Sequence, residues 1–439
     1  MLVFLILLPG CSTEDPAADD GETGESDLVD TSQNDATAEP ETVQVDTHAP
    51  DVEPPDVEEP DDGGVDILED AHHSADVPGA GPDAGPDVEP DTAAWQVLDG
   101  VIYHDGAPAR IRGVNWFGME TPDHAPHGLW TGRTIADFVG QAAELGFNAL
   151  RLPVTPGSIR PGFDTADWAK NAGYATGREA LEAVLTEAQS AGLFVLLDYH
   201  SCNDDHGAEQ VGDPTGCDGA TIAQWHADLQ TLAELGLTYT NVLGIDLFNE
   251  PHGLTWPAWL ELVDGAAAAI HETNPDLLIF VQGVANLSDN AGYTAFWGGN
   301  LSEAGDLPPT LPGNRLVFSP HVYGPSVASM PYFNDEDYPT NLIKIWQAHF
   351  GYLHSAGFAV ITGEFGSRYD ATEVPGSVAW QDAWVTFMVQ TGQTDFFYWA
   401  LNANTGEITG ILEDDWETPA AHILAALKPL LEALVHGSD

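Results

Sequence analysis

Apolar positions along this chain gather into eight short runs, near-continuous rather than alternating, between residues 110 and 402. They are RIRGVNW (110–116), FNALRLPV (147–154), LFVLLDYH (193–200), VLGIDLFNE (242–250), LLIFVQG (277–283), RLVFSPHVY (315–323), FAVITGEFG (358–366) and TDFFYWALN (394–402). Runs of this length predict strands covered on both faces, as in parallel sheets. Helical spacing fills most of the intervals, at 134–145, 177–191, 221–235, 256–272, 341–356 and 377–390, with a last helix at 419–434. The connection 286–314 is longer and shows no clear helix. Eight strands, each followed by a helix or a long loop, predict an α/β chain folded as a (β/α)8 TIM barrel. An open doubly wound sheet is the alternative. It would carry a Gly-rich phosphate turn after its first strand, and GVNWFGMETPDH lacks that spacing. A hairpin in VLDGVIYHDGAPAR (97–110) precedes the first strand and is expected to plug the bottom of the barrel.

Upstream of this region the texture changes. Residues 12–92 hold 27 of the 70 acidic residues, with no Lys, no Arg and no aromatic residue. Fragments such as PDVEPPDVEEPDD bury too little apolar surface to offset the entropy of ordering. The segment is expected to be a disordered, self-repelling, proline-stiffened linker, with the folded domain at 93–439. Calcium binding is disfavoured, because no Asp-x-Asp-x-Asn-Gly loop occurs there. Residues 1–11, MLVFLILLPGC, form an apolar run too short to span a bilayer and of signal-peptide length. The ending resembles a bacterial lipobox. Lipidation of Cys11 on an exported, cell-surface chain is the expectation, with ordinary secretion as the alternative.

The formal charge is -59, from 11 basic against 70 acidic residues. Such a field repels nucleic acid and anionic headgroups, so DNA or RNA binding is excluded as a function. An uncharged partner meets no such repulsion, and acidity by itself also maintains solubility. Of the three cysteines, Cys202 and Cys217 bracket a polar stretch. A loop-closing disulfide is expected in an oxidising compartment. Free thiols, or a metal site with His206, are the alternatives, and the spacing matches no zinc motif.

On a parallel barrel, chemistry collects at the C-terminal ends of the strands. Those ends carry Asn115-Trp116, Arg151, His200, Asn249-Glu250, Gln282, His321 with Tyr323, Glu364 and Trp399. Two carboxylates, ending the fourth and seventh strands, can converge on one cleft. Paired carboxylates are what glycoside hydrolysis requires: one protonates the leaving oxygen and the other attacks the anomeric carbon or activates water.

GIDLFNEPH, together with RGVNWFGMET, PHGLW, LRLPV, LDYH, LLIFVQGV, FWGGNL, SPHVYG, TGEFG and YWALNANTGEITGILEDDW, resembles glycoside hydrolase family 5, the cellulase family. The resemblance runs from about Trp95 to the C-terminus and is nearest to bacterial endo-β-1,4-glucanases. It implies that 93–439 is a catalytic domain hydrolysing β-1,4-glucan with retention of configuration. The same chemistry on mannan, xyloglucan or mixed-linkage glucan is the alternative. It implies Glu364 as nucleophile, beside the cationic Arg151 and the hydroxyl of Tyr323, and Glu250 as acid/base with its pKa raised by burial and by Glu364. Asn249 would bond the sugar 2-hydroxyl, and His200 and His321 would hold hydroxyls or Tyr323. Trp399 would floor the reacting sugar; of Trp116, Trp130, Trp256 and Trp297, for all of which core packing is the alternative, Trp130 and Trp297 match the family best as further sugar platforms. No cofactor or metal is implied, and the chain is read as a monomer. A barrel that binds carbohydrate without cleaving it would lack one carboxylate, and both are present. The run LDYHSCNDDHG departs from the family pattern and is expected to reshape one wall of the cleft.

Overall fold

The protein is described by a computed structural model covering residues 94–204, 220–285, 292–311 and 314–433. Cys11, the 12–92 segment, His206 and Cys217 lie outside the described residues. The eight apolar runs are eight parallel strands: β1 (Arg112–Asn115), β2 (Ala149–Val154), β3 (Phe194–Tyr199), β4 (Val242–Asp246), β5 (Leu278–Val281), β6, β7 and β8 (Phe396–Tyr398). β6 and β7 are each split. β6 runs Leu316–Phe318 and resumes at His321–Tyr323; β7 runs Ala359–Val360 and resumes at Glu364–Gly366. The sheet order is β7-β6-β5-β4-β3-β2-β1-β8. A parallel bridge between Thr362 and Phe396, with the Phe397 N–H donating to the Thr362 carbonyl at 2.8 Å, joins β7 to β8 and closes the barrel.

The interruptions have local causes. Pro320 has no N–H to give a ladder, so β6 breaks there. Opposite it, a Cβ on Gly363 would lie 2.4 Å from Ser319 Oγ and 2.9 Å from His321 Nε2. Only glycine permits β7 to approach β6 that closely. The two strands then pair again, with His321 opposite Glu364 and Tyr323 opposite Gly366. The break therefore sets which side chains enter the cleft together.

Six of the expected helices appear as single elements: Ile135–Glu144, Gly177–Ala191, Ile222–Thr238, Trp256–Thr273, Ser377–Thr391 and Ala421–Leu431. Thr134 with Asp137, and Thr176 with Glu179, form reciprocal capping boxes that start the first two. The expected helix 341–356 is divided by a wider π-type turn at Gln347–Gly351. Two short helices, Pro156–Ile159 and Asp167–Asn171, lie in the connection after β2, where none was expected.

The hairpin does sit at the bottom of the barrel. Its strands are Trp95–Leu98, Val101–His104 and Ala107–Pro108. Its two turns place Asp99-Gly100 at φ 50 and 77 and Asp105-Gly106 at φ 50 and 76, the left-handed pair that tight hairpins need. Trp95 and Ile102 pack in one cluster with Ile111, Leu196, Leu243, Leu278, Phe280, Val317 and Phe397 from the barrel strands. Trp95→Ala opens that cluster and should cost about 3–5 kcal/mol. Leu98→Ala, at a residue 40% exposed, should cost less than about 0.5 kcal/mol. Urea midpoints of the two variants check this; equal midpoints would mean the hairpin does not seal the core.

Candidate active site

Arg151, in β2, is fully buried and occupies the centre of the C-terminal face. Its Nη1 donates to Glu364 Oε1 at 2.6 Å and to Asn115 Oδ1 at 3.0 Å. Its Nη2 donates to Asn249 Oδ1 at 3.0 Å and lies 3.1 Å from both Asp198 Oδ1 and Asp246 Oδ2. Burial opposes the guanidinium charge, but Asp198, Glu364 and Asp246 outweigh it and hold Arg151 protonated. One cation thus orders five side chains from β1, β3, β4 and β7 or the turns that follow them.

Glu364 opens the second segment of β7. Its Oε1 accepts from Arg151 and its Oε2 accepts from the Tyr323 hydroxyl. Its pKa is raised, because burial outweighs Arg151, His200 and the Tyr323 hydrogen bond, which draw it down. Glu250 follows β4 and adopts a left-handed backbone with φ 50. Its pKa is raised well above the ordinary carboxylate value, first by burial and then by the charge of Glu364. Among the described residues, no cation bonds its carboxylate. Its Oε1 lies 3.0 Å from His321 Nδ1, which is also 3.4 Å from Glu364 Oε2. Burial and the nearby Arg151 and His200 charges lower the His321 pKa well below normal. A neutral ring with its proton on Nδ1 therefore donates between the two carboxyls. Oxygens of Glu250 and Glu364 come within 4.8 Å of each other.

Asp198 and His200 leave β3 on the same face. His200 Nδ1 bonds Asp198 Oδ2 at 2.7 Å. Burial works against protonation, yet Asp198 raises the His200 pKa to about 9, so this ring is cationic at neutral pH. The Trp399 ring lies 6.3 Å from His200 at 20° and stacks on Phe117 at 5.4 Å and 6°. Trp130 is 43% exposed and packs edge-on to His127, Trp168 and Trp416. Trp297 lies flat on His252, with centroids 4.2 Å apart. Trp116 and Trp256 are buried in the core. Cys202 is disulfide-bonded.

Of the strand-end residues expected from the sequence, Asn115, Arg151, His200, Asn249, Glu250, Gln282, His321, Tyr323, Glu364 and Trp399 meet around one centre, whereas Trp116 packs in the core; Trp130, in the turn Leu129–Thr131, stands in its own aromatic cluster. Asp198 and Asp246 are the residues that sequence reading missed. A signal was present: each is an aspartate inside an otherwise apolar strand, which a barrel tolerates only when a buried partner compensates it. Gln282 and His252 were not assigned roles either. Gln282 Nε2 donates to Asp246 Oδ2 at 2.9 Å, and its Oε1 accepts the Glu250 N–H at 2.8 Å.

Among the described residues, two groups bring metal-type donors together: Asp198, His200 and Glu364, and Glu250, His321 and Glu364. Their chemistry does not fit a cation. Both Glu364 oxygens accept from Arg151 and Tyr323, Asp198 and His200 bond each other, and the guanidinium already supplies the local positive charge.

Comparison with known proteins agrees with this geometry. The sequence profile described as "Cellulase (glycosyl hydrolase family 5)" matches residues 105–405. The chain is 38% identical over 344 residues to the "Major extracellular endoglucanase" of Xanthomonas campestris pv. campestris, covering 75% of this chain and 69% of that one. It is 34% identical over 333 residues to an endoglucanase of Paenibacillus polymyxa, covering 72% and 82%. Its fold is similar to a hyperthermophilic endocellulase from Pyrococcus horikoshii, with a TM-score of 0.72, 36% identity, and coverage of 78% of this chain and 99% of that one. A further structure of that endocellulase, with a Glu-to-Ala substitution, is a complex with cellotetraose. The chain belongs to the cellulase family, glycosyl hydrolase family 5.

Proposed function

We propose that this chain is an endo-β-1,4-glucanase that cleaves β-1,4-glucan with retention, using Glu364 as nucleophile and Glu250 as acid/base. The observation that carries the reading is that an oxygen of each carboxyl lies within 4.8 Å of one of the other, with a guanidinium bonded to Glu364 and, among the described residues, none bonded to Glu250. Retaining enzymes keep the pair at about 5–5.5 Å, whereas inverting ones need about 6.5–9.5 Å for an intervening water. The names of the endoglucanase relatives and the cellotetraose complex support glucan as the substrate.

The steps follow from the environments. Glu364, bonded to Arg151 and Tyr323, attacks the anomeric carbon while Glu250 delivers its proton to the departing glycosidic oxygen. The leaving chain carries that proton away, and a glycosyl ester on Glu364 remains. Esterification removes the Glu364 charge that kept Glu250 protonated, so Glu250 now accepts a proton from water. The resulting hydroxide equivalent attacks the anomeric carbon and Glu364 departs as carboxylate. Arg151 fixes the Asn249 amide with its oxygen inward, leaving the Nδ2 group for the sugar 2-hydroxyl. Trp399 supplies a flat apolar floor, and His200 and His321 supply donors. Trp297 and Trp130 are the candidates for further sugar platforms.

Residues 1–11 direct export in this reading, with lipidation at Cys11 and 12–92 as the tether; the word "extracellular" in the name of the Xanthomonas relative supports secretion. The disulfide at Cys202 supports its pairing with Cys217.

A reducing-sugar assay on carboxymethyl cellulose, mixed-linkage glucan, xyloglucan, xylan and mannan should give the highest rate on a β-1,4-glucan; a faster rate on mannan would replace the substrate but not the mechanism. Glu364→Ala should lower kcat on carboxymethyl cellulose by about 10⁴-fold or more, while azide should restore turnover of Glu250→Ala on an activated aryl cellobioside and yield a β-glycosyl azide. A β-glycosyl azide formed by the Glu364 variant, with an α-glycosyl azide from the Glu250 variant, would exchange the two roles. His200→Asn tests the charge balance. The His200 cation lowers the pKa of both Glu250 and Glu364. Its removal makes both harder to ionise, so both limbs of the kcat/KM profile should move to higher pH. A profile that narrows, or moves to lower pH, would contradict the assignment.

A further inference from the structure

The backbone of Glu250 is held from both sides by groups that take no part in the steps above. Its φ of 50 is left-handed, a conformation that costs a non-glycine residue on the order of 1 kcal/mol or more and persists only where the surroundings enforce it. On one side, the N–H of Glu250 donates to Gln282 Oε1 at 2.8 Å. Gln282 ends β5 and is fully buried. Its amide cannot flip without penalty, because the Glu250 N–H can only donate and so requires Oε1, which leaves Nε2 facing Asp246 Oδ2 at 2.9 Å. On the other side, the Glu250 carbonyl lies 2.9 Å from His252 Nδ1. A carbonyl oxygen also only accepts, so Nδ1 carries the proton. The His252 ring is held flat against Trp297, 4.2 Å away at 9°.

The loop that carries Trp297 is itself tied to the end of β5. Gly283 N–H donates to the Gly298 carbonyl at 2.9 Å, and Val284 bridges Asn300. Gly298 has φ 71, and a Cβ there would lie 2.7 Å from Gln282 Oε1 and 3.2 Å from the His321 ring. The two halves of the clamp therefore share one loop.

Resting on the acid/base reading of Glu250, we infer that Gln282 and His252 are positioning residues that clamp its left-handed peptide units, and that Trp297 acts through His252 as the backing of this clamp. Both hydrogen bonds are made by the main chain of Glu250, so they direct the carboxyl without altering its charge. The clamp governs where the proton is delivered, and an error of about 1 Å in such a group costs about 100-fold. The effect must appear where proton delivery matters, on poor leaving groups, and much less where the leaving group departs as an anion.

The test uses the whole enzyme with Gln282→Met and His252→Phe. Each keeps side-chain bulk while removing one hydrogen bond, and phenylalanine retains the stack on Trp297. Gly298→Ala is a third variant that pushes on Gln282 from outside the cleft. kcat/KM is measured on cellotetraose and on 2,4-dinitrophenyl β-cellobioside, beside Glu250→Ala. Each clamp variant should lose on the order of 10–100-fold on cellotetraose, and at least tenfold less than that on the aryl substrate, with azide raising kcat on the latter. Equal losses on both substrates, or no loss on cellotetraose, would overturn the clamp while Glu250→Ala retains its dependence on the leaving group. Equal losses on both substrates in Glu250→Ala would overturn the acid/base reading and the clamp with it.

Discussion

The C-terminal face of this barrel is organised around a single buried positive charge. A guanidinium removed from water is tolerable only if its donors are all satisfied and its charge is balanced. Arg151 meets both conditions through Asp198, Asp246, Glu364, Asn115 and Asn249. Each partner comes from or just after a different strand, or from the loop beyond β4, so the barrel must close in register for the charge to be accommodated. The same requirement explains why polar side chains accumulate at the ends of strands that are otherwise continuous hydrocarbon.

From that constraint follows the difference between the two carboxyls. Glu364 shares the guanidinium and a phenolic hydroxyl, which offset part of the penalty that burial places on its negative charge. Glu250, which faces the neutral ring of His321, loses solvent and feels the field of Glu364, and these two outweigh the more distant His200 and Arg151 charges and favour its protonated form. Two identical side chains are set apart by their surroundings alone. Asp246 shows the limit of the arrangement: burial, and after it the negative charge of Asp198, raise its pKa to about 7 despite Arg151.

The strand ends were legible because the barrel makes them so. Runs such as VLGIDLFNE combine a core-forming half with a polar terminus, and this break in hydropathy marks the cleft. The aspartates were harder to see: Asp198 and Asp246 lie within the apolar half, and their meaning depends on a partner about 50–100 residues away, which one-dimensional periodicity does not reveal. The division of β6 and β7 was hidden for the same reason, since the need for glycine at 363 arises from Ser319 and His321 on the neighbouring strand. The hairpin, in contrast, was readable from local turn chemistry. Trp297 was read as a sugar platform from the resemblance of FWGGN to the family. Its contact with His252 is a tertiary fact with no counterpart in sequence spacing.

The central claim is that the Arg151 cluster keeps Glu364 ionised and Glu250 protonated in the same cleft. Carbon NMR titration of the two carboxyls, assigned with Glu250→Gln and Glu364→Gln, measures this directly. The account predicts that Glu250 titrates well above 4.5 and above Glu364, and that its pKa falls when Glu364 becomes glutamine. A Glu250 titrating near 4.5, or unmoved by the loss of Glu364, would contradict it.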